Sequence, residues 1–535
     1  MDGSRRLGGN AAALGFVAAL VAAAGVFLLR AWVADDAYLT YRVVDNALHG
    51  HGLRWNVDER VQIFTHPLWA LAHLPTTAAL GSPERASLLL SALCLAGLGA
   101  ALWRGLGLDR RRFLLVAVLP LVASTAFGDY VISGLETPLA ALLLAGFALL
   151  AVARPERPAW LAISAAAALA ATNRLDALLL LLPAGAALLV TSGFRVAWGR
   201  VALGSLPLVG WLAFSVVYYG FALPNTRYAK LDTGIPGAAL AHQGLAYLLD
   251  FARHDPAGAL WIALALAVGA FDLTRARRGR DARAGARRLL RVGLAVGVAV
   301  HLLYVVRIGG DFMRGRLFAP ALAVSVVVVA DAARSLPLVA AAAAGALLLL
   351  LRLGVEVAGS ELSPDNAGYR GIVDERAIFA PWTAFATPGP VGEPRDHAWA
   401  RTGLAVRREA EAGGAPRVVR RGNVGLFGYF AGPEVIIVDT FGLGDPLLAR
   451  LPVSNPEKWR IGHFHRAPPE GYLIARRTGL ALHMDPDLRD YYERLRRVVS
   501  GPLFTRERWR EIARFALGAN DRLLDRYLER RGRRG

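Results

Sequence analysis

The amino-acid sequence predicts a mainly α-helical polytopic membrane protein, with about eleven spans over residues 1–352 and an α+β water-facing domain over residues 353–535. Three observations predict it. Hydrophobic residues make up 55% of the 535-residue chain, and they collect in uninterrupted runs about 17–20 residues long instead of alternating at the period of a strand or an amphipathic helix. Arginine is concentrated in alternate loops between those runs. After Leu351 the hydropathy drops and charged, Pro and Gly residues interleave, as in a soluble module.

The first run, Ala11 to Val33, follows Arg5 and Arg6 and is too long for a signal-peptide core, so it is expected to remain as an uncleaved span. Further spans are expected at Ser87 to Trp103, Phe113 to Phe127, Pro138 to Ala153, Ala159 to Ala171, Leu175 to Val190 and Val201 to Tyr219. The remainder are Gly258 to Phe271, Leu289 to Val306, Leu317 to Ala333 and Leu336 to Leu351. The short pair at Ala159 and Leu175 also fits a re-entrant hairpin. If the N-terminus starts inside, the inside loops hold Arg110 to Arg112, Arg154 and Arg157, Arg195 and Arg200, and the run from Arg275 to Arg291. Those segments carry roughly one cation per three residues and the outside segments roughly one per ten, the bias of the positive-inside rule. An odd number of spans then puts the last domain outside, with the N-terminus in the cytoplasm. In that domain, Arg417 to Val419 and Val435 to Val438 read as strands, and Leu488 to Val498 and Arg506 to Phe515 as helices.

Composition narrows the function classes. The net charge of +19 is explained by topology and does not point to nucleic acid, because much of the excess sits in short loops and Lys occurs only at Lys230 and Lys458. The basic end, Arg530, Arg531, Arg533 and Arg534, reads as a solvated tail able to touch anionic lipid. The single cysteine, Cys94, lies in an apolar run, which excludes a disulfide framework or a paired-cysteine metal site and leaves packing as its role.

On this map the unusual polar clusters fall on one side. They are Asp35-Asp36-Ala-Tyr38, Ser133-Gly-Leu-Glu136-Thr137, Asn173-Arg174-Leu-Asp176, Asn225-Thr-Arg227-Tyr-Ala-Lys230 and Gly309-Gly310-Asp311-Phe-Met-Arg314-Gly-Arg316. A transporter is expected to hold ionisable groups near mid-span, whereas here they gather at helix mouths. That pattern suits chemistry at the membrane surface on a substrate whose lipid tail stays in the bilayer. Asp35 and Asp36 are the candidate catalytic pair: one carboxylate takes the proton of an acceptor hydroxyl, and its neighbour raises the first one's pKa or holds the acceptor. Solvated acidic residues at a helix end are the plainer reading. The stretch that follows is read as a long outside loop dense in hydrogen-bonding and aromatic groups, and Tyr38, Arg42, His49, His51, Trp55 and His66 are candidate sugar or acceptor contacts. The three histidines are read as turn or hydrogen-bonding residues rather than metal ligands; no metal residue is assigned, and a divalent cation is left open. Glu136 and Asp311 are further candidates for substrate contact, with an ion pair of Glu136 and Asp176 to Arg174 equally open. Arg314 and Arg316 beside two glycines, and Arg227 with Lys230, are candidate phosphate-binding cations.

These residues, together with Gly50-His-Gly-Leu-Arg-Trp-Asn56, Thr65-His-Pro-Leu-Trp69, Ser133 to Pro138, Tyr218 to Thr226 and Gly309 to Phe312, resemble the polytopic C-type (GT-C) glycosyltransferases, and among them the mycobacterial terminal beta-(1->2)-arabinofuranosyltransferase family. Val438 to Asp445 and Gly462 to Tyr472 carry the likeness into the last domain, so it covers nearly the whole chain. The resemblance implies a GT-C helix bundle in the cytoplasmic membrane and a polyprenyl-phosphate-linked furanose donor. It also implies a cell-envelope glycan acceptor, catalytic carboxylates at Asp35 and Asp36, and a last domain that helps seat the acceptor. Related proteins with this layout include a branch tied to flagellar motor control, so a non-catalytic envelope or motor-associated role stays open beside transfer, as does lipid-linked sugar transport. The sugar, the acceptor and the stereochemical course are also open at this point.

Overall fold

The computed structural model describes residues 2–275, 282–358, 369–385, 394–413 and 417–532. Residues 276–281 of the basic run expected inside, and Arg533 and Arg534 of the basic end, lie outside the described residues. Every apolar run read from the sequence falls on helix. Among the described residues, five helices are long and apolar enough to cross a membrane: Pro83–Leu106, Trp198–Tyr219, Pro256–Arg275, Ala282–Arg307 and Leu338–Val355. Four more, Ala13–Leu29, Thr137–Ala153, Trp160–Asn173 and Ala177–Thr191, are apolar but shorter. The run at Phe113 to Phe127 is not one regular helix. It passes through a π-helical turn at Leu114–Val118 and a break at Ser124, whose hydroxyl caps the next short helix through Phe127 N.

The chain packs as two compact units, each discontinuous in sequence. The first comprises the described residues of 1–34, 84–207 and 237–391, and the second those of 35–83, 208–236 and 392–535. This packing does not follow a single boundary at 352/353. Residues 369–385 belong to the first unit, where Thr383 bonds both backbone groups of Val33 and Met313 pairs with Val373 in a bridge. In the first unit the core is built of small and branched side chains along the Thr137–Ala153, Ala177–Thr191, Ala282–Arg307 and Ala319–Ala332 helices. Backbones approach closely there: a Cβ on Gly297 would stand 2.1 Å from the Leu180 carbonyl oxygen.

The second unit is helical around one small sheet. Strands β1 (Arg417–Arg421) and β2 (Val435–Asp439) pair in parallel, and the Gly425–Ala431 helix supplies the crossover that parallel pairing requires. Both strands lie where the sequence placed them, as do the helices Pro486–Ser500 and Arg506–Ala516. Of the long outside loop expected after Asp35, residues 49–66 are irregular, as expected, and the first part is a helix, Asp35–Leu48. Its two aspartates stand in the first turn, where negative charge favours the helix dipole, and its flanks are buried almost all round. Polar density had suggested a loop, but here those polar groups are satisfied inside the unit.

Candidate active site

The Asp35 carboxylate sits at the start of the Asp35–Leu48 helix against the start of the crossover helix. Its Oδ1 accepts a hydrogen bond from Leu426 N at 2.7 Å. The approach depends on Gly425, where a Cβ would stand 2.6 Å from the Asp35 carboxyl carbon and 2.1 Å from its backbone oxygen. Asp35 keeps a solvent-facing edge, yet it lies deep among protein atoms. Burial, helped by the charge of Asp36, pushes its pKa from 3.8 up to about 7, even though Leu426 N and Gly425 N hold the ionised form. A carboxyl so placed is half ionised near neutral pH, which suits a general base. Asp36 follows in the same first turn, half-buried.

The remaining candidates of this stretch divide into two groups. Tyr38, Arg42, Trp55 and His66 are interior residues and not open sugar contacts. Arg42 gives all three guanidinium nitrogens to backbone oxygens, Nε to Trp55 at 2.7 Å, Nη2 to Val435 at 2.8 Å and Nη1 to Gly428. It also lies 5.0 Å above the Trp55 ring, so it ties the Asp35–Leu48 helix to β2. His66 meets the Thr40 hydroxyl at 2.7 Å through Nε2, and Tyr38 packs its ring among Tyr41, Tyr429 and Phe430. His49 and His51, by contrast, are exposed at the far end of the helix.

Of the cations in this unit, Lys230 ends the Asn225–Leu231 helix and is half-buried. Arg227 is exposed and paired with Asp232 at 2.9 Å. Their helix is fixed by Asn225, whose Nδ2 donates to the backbone oxygens of Gly442 and Leu443 at 2.8 and 3.0 Å. The unit also holds a buried ion pair: Arg476 grips Glu59 through two 2.9 Å contacts and reaches Asp58 at 3.2 Å.

In the first unit, Glu136, Arg174, Asp176, Asp311 and Arg316 form one network. Arg174 spans Glu136 at 2.7 Å and Asp176 at 2.8 Å, so the ion pair left open by the sequence is formed. Arg316 contacts Glu136 at 3.3 Å and Asp311 at 3.8 Å. Asp311 also accepts from Phe312 N at 2.9 Å. Arg314 turns the other way, pairs with Asp250 at 3.1 Å and lines a cavity of about 190 Å³ with Asp129, His254, Asp255, Arg352 and Arg376. Sequence reading missed these cavity residues because they come from four separate segments; the isolated Asp129 just beyond an apolar run was the available signal. Among the described residues no three His, Cys, Asp or Glu side chains gather as a metal site would require.

The chain thus combines, among the described residues, five helices long and apolar enough to cross a membrane with a carboxylate pair at the start of a buried helix. Among known proteins it is similar to the terminal beta-(1->2)-arabinofuranosyltransferase of Mycobacterium tuberculosis, 28% identical over 530 aligned residues that cover 83% of this chain and 82% of the relative. The protein of the same name from Corynebacterium glutamicum is 28% identical over 531, covering 84% and 75%. No family model matches the chain. Among solved structures, ArnT from Cupriavidus metallidurans bound to undecaprenyl phosphate aligns with a TM-score of 0.44 and 15% identity, over 82% of this chain and 76% of that one.

Proposed function

We propose that the protein is a glycosyltransferase that moves a sugar from a polyprenyl-phosphate donor onto a cell-envelope glycan at the outer face of the cytoplasmic membrane. Arabinofuranose is the sugar that the names of its relatives support. In this reading the N-terminus is inside, the membrane spans lie within residues 1–352, and residues 392–535 lie outside. Asp35 takes the proton from the acceptor hydroxyl as that oxygen bonds to the anomeric carbon, and the bond from that carbon to the phosphate oxygen breaks. Polyprenyl phosphate leaves with the electron pair. Asp36 sustains the raised pKa of Asp35 and orients the acceptor. Fixed cations act on the charge that develops on the departing phosphate. Of the four candidates, Arg316 is already compensated by Glu136 and Asp311, and Arg227 by Asp232. Arg314 is likewise paired, with Asp250, which leaves the half-buried Lys230 as the stronger candidate.

The observation that carries the reading is Asp35: a carboxyl at a helix start, beside a second carboxyl, with a pKa of about 7. The test is a transfer assay with purified protein, polyprenyl-phosphate sugars and an envelope oligosaccharide, followed by mass spectrometry. Extended product with wild type, lost in Asp35→Asn and Asp36→Asn, is expected. Product that persists in both variants would remove the aspartates from the chemistry, and no product from any donor would favour a non-catalytic envelope role.

A further inference from the structure

The first unit contains an apolar groove of about 370 Å³ between the Ala13–Leu29 and Pro83–Leu106 helices and the π-helical turn at Leu114–Val118. Its lining on the first helix runs from Phe16 to Leu28, a rise of about 18 Å, and on the second from Ala92 to Trp103, a rise of about 16 Å. Both lengths match one leaflet of the hydrocarbon core, about 15 Å. Small residues make the room: Ala23, Ala24, Ala96 and Gly99 line the groove, and a Cβ added to Gly99 would meet nothing within 4 Å. One end carries the marks of the headgroup level. Phe16 and Phe113 each stand 5.0 Å from Trp103 there, and Trp is a side chain that prefers the boundary between hydrocarbon and water. Arg110 lies 5.9 Å from the Phe16 ring. Arg104 follows Trp103 directly and Arg111 follows Arg110, and all three arginines are exposed. Asp109 is the one acidic residue between Trp103 and Phe113, and Arg112 takes it at 2.8 Å. The rim is therefore cationic. It stands by the start of the apolar stretch of the first helix, whereas the chain reaches Asp35 beyond the other end of that helix.

We infer that the groove seats one acyl chain of an anionic phospholipid from the leaflet opposite the Asp35 side, with Arg104, Arg110 and Arg111 at its phosphate. Lipid tails are as apolar as the groove, so the chain gains nothing by hydrophobicity alone. The guanidinium groups supply the selectivity, as basic residues do at an anionic membrane surface. The lipid fills the space between the first helix and its neighbours and holds that helix in place. It is distinct from a sugar donor, whose phosphate in the transferase reading acts on the Asp35 side, and the inference does not rest on that reading.

The test uses the full-length protein in a mild detergent and two kinds of variant, so that a folding defect in one does not decide the matter. Arg104→Gln combined with Arg110→Gln removes rim charge, and Gly99→Leu fills the groove at a position where a side chain meets open space. Native mass spectrometry with added phosphatidylglycerol or phosphatidylcholine of the same acyl chains is expected to show wild type binding phosphatidylglycerol about tenfold more tightly. The arginine variant is expected to lose that preference while it still binds both lipids. Gly99→Leu is expected to lose about tenfold in affinity for both. Equal affinity of wild type for the two lipids, or unchanged phosphatidylglycerol affinity in either correctly folded variant, would overturn the inference. In the transfer assay Gly99→Leu is expected to keep the donor KM of wild type. A donor KM raised about tenfold would give the groove to the donor's polyprenyl chain and overturn the inference as well.

Discussion

At pH 8 the substitution Asp35→Asn is expected to raise the stability of the protein while it removes transfer activity. Burial moves the Asp35 pKa from 3.8 to about 7, so between those values the folded chain holds a proton that the unfolded chain gives up. Stability contributed at this position therefore falls as pH rises through that window, and the loss is complete above about pH 7. At 1.36 kcal/mol per pH unit, the ionised carboxylate costs up to about 4 kcal/mol. Its solvent-facing edge screens part of this, which leaves about 2–4 kcal/mol. Asparagine is uncharged and keeps an oxygen that can accept the Leu426 N bond, so it escapes the cost without losing the contact. Thermal unfolding followed by tryptophan fluorescence is expected to show the variant's advantage growing by about 2–3 kcal/mol between pH 5 and pH 8. Activity in the same samples is expected to fall by at least about 100-fold. A difference that does not change with pH, or a variant less stable than wild type at pH 8, would refute the assignment of Asp35 as a buried, high-pKa carboxyl.

The other predictions test the surroundings. The wild-type kcat/KM is expected to rise with pH to a half-maximum near 7, because Asp35 must be ionised to accept the proton; a profile flat from pH 5 to 8 would exclude it as the base. Gly425→Ala drives a methyl group into Asp35 and is expected to reduce kcat about tenfold or more at the normal pH optimum, as measured in the transfer assay. Glu59→Ala takes the nearest carboxylate from the buried Arg476 and is expected to cost about 3 kcal/mol of stability, read as a lowered Tm. Lys230→Ala is expected to raise the donor KM about tenfold with a smaller effect on the acceptor KM.

Much of this was legible in the sequence because the dominant forces leave a one-dimensional record. Apolar runs such as those at Ser87 and Leu289 mark helices without reference to partners, and Val435 to Val438 marks a buried strand. Asp35 and Asp36 stood out for a similarly local reason, as adjacent charges directly after an apolar run. The roles of Arg42, Trp55 and Tyr38 were not legible. Whether an arginine meets a ligand or three backbone oxygens depends on Gly428 and Val435, almost 400 positions away. The same holds for the cavity beside Arg314, whose carboxylates and cations converge only in the fold.

The measurement that bears most directly on the central claim is transfer from a polyprenyl-phosphate arabinofuranose donor to an envelope oligosaccharide by purified wild-type and Asp35→Asn protein. An acceptor extended by one pentose is expected with wild type and none with the variant. Equal product from both, or none from wild type that still binds donor and acceptor, would contradict it.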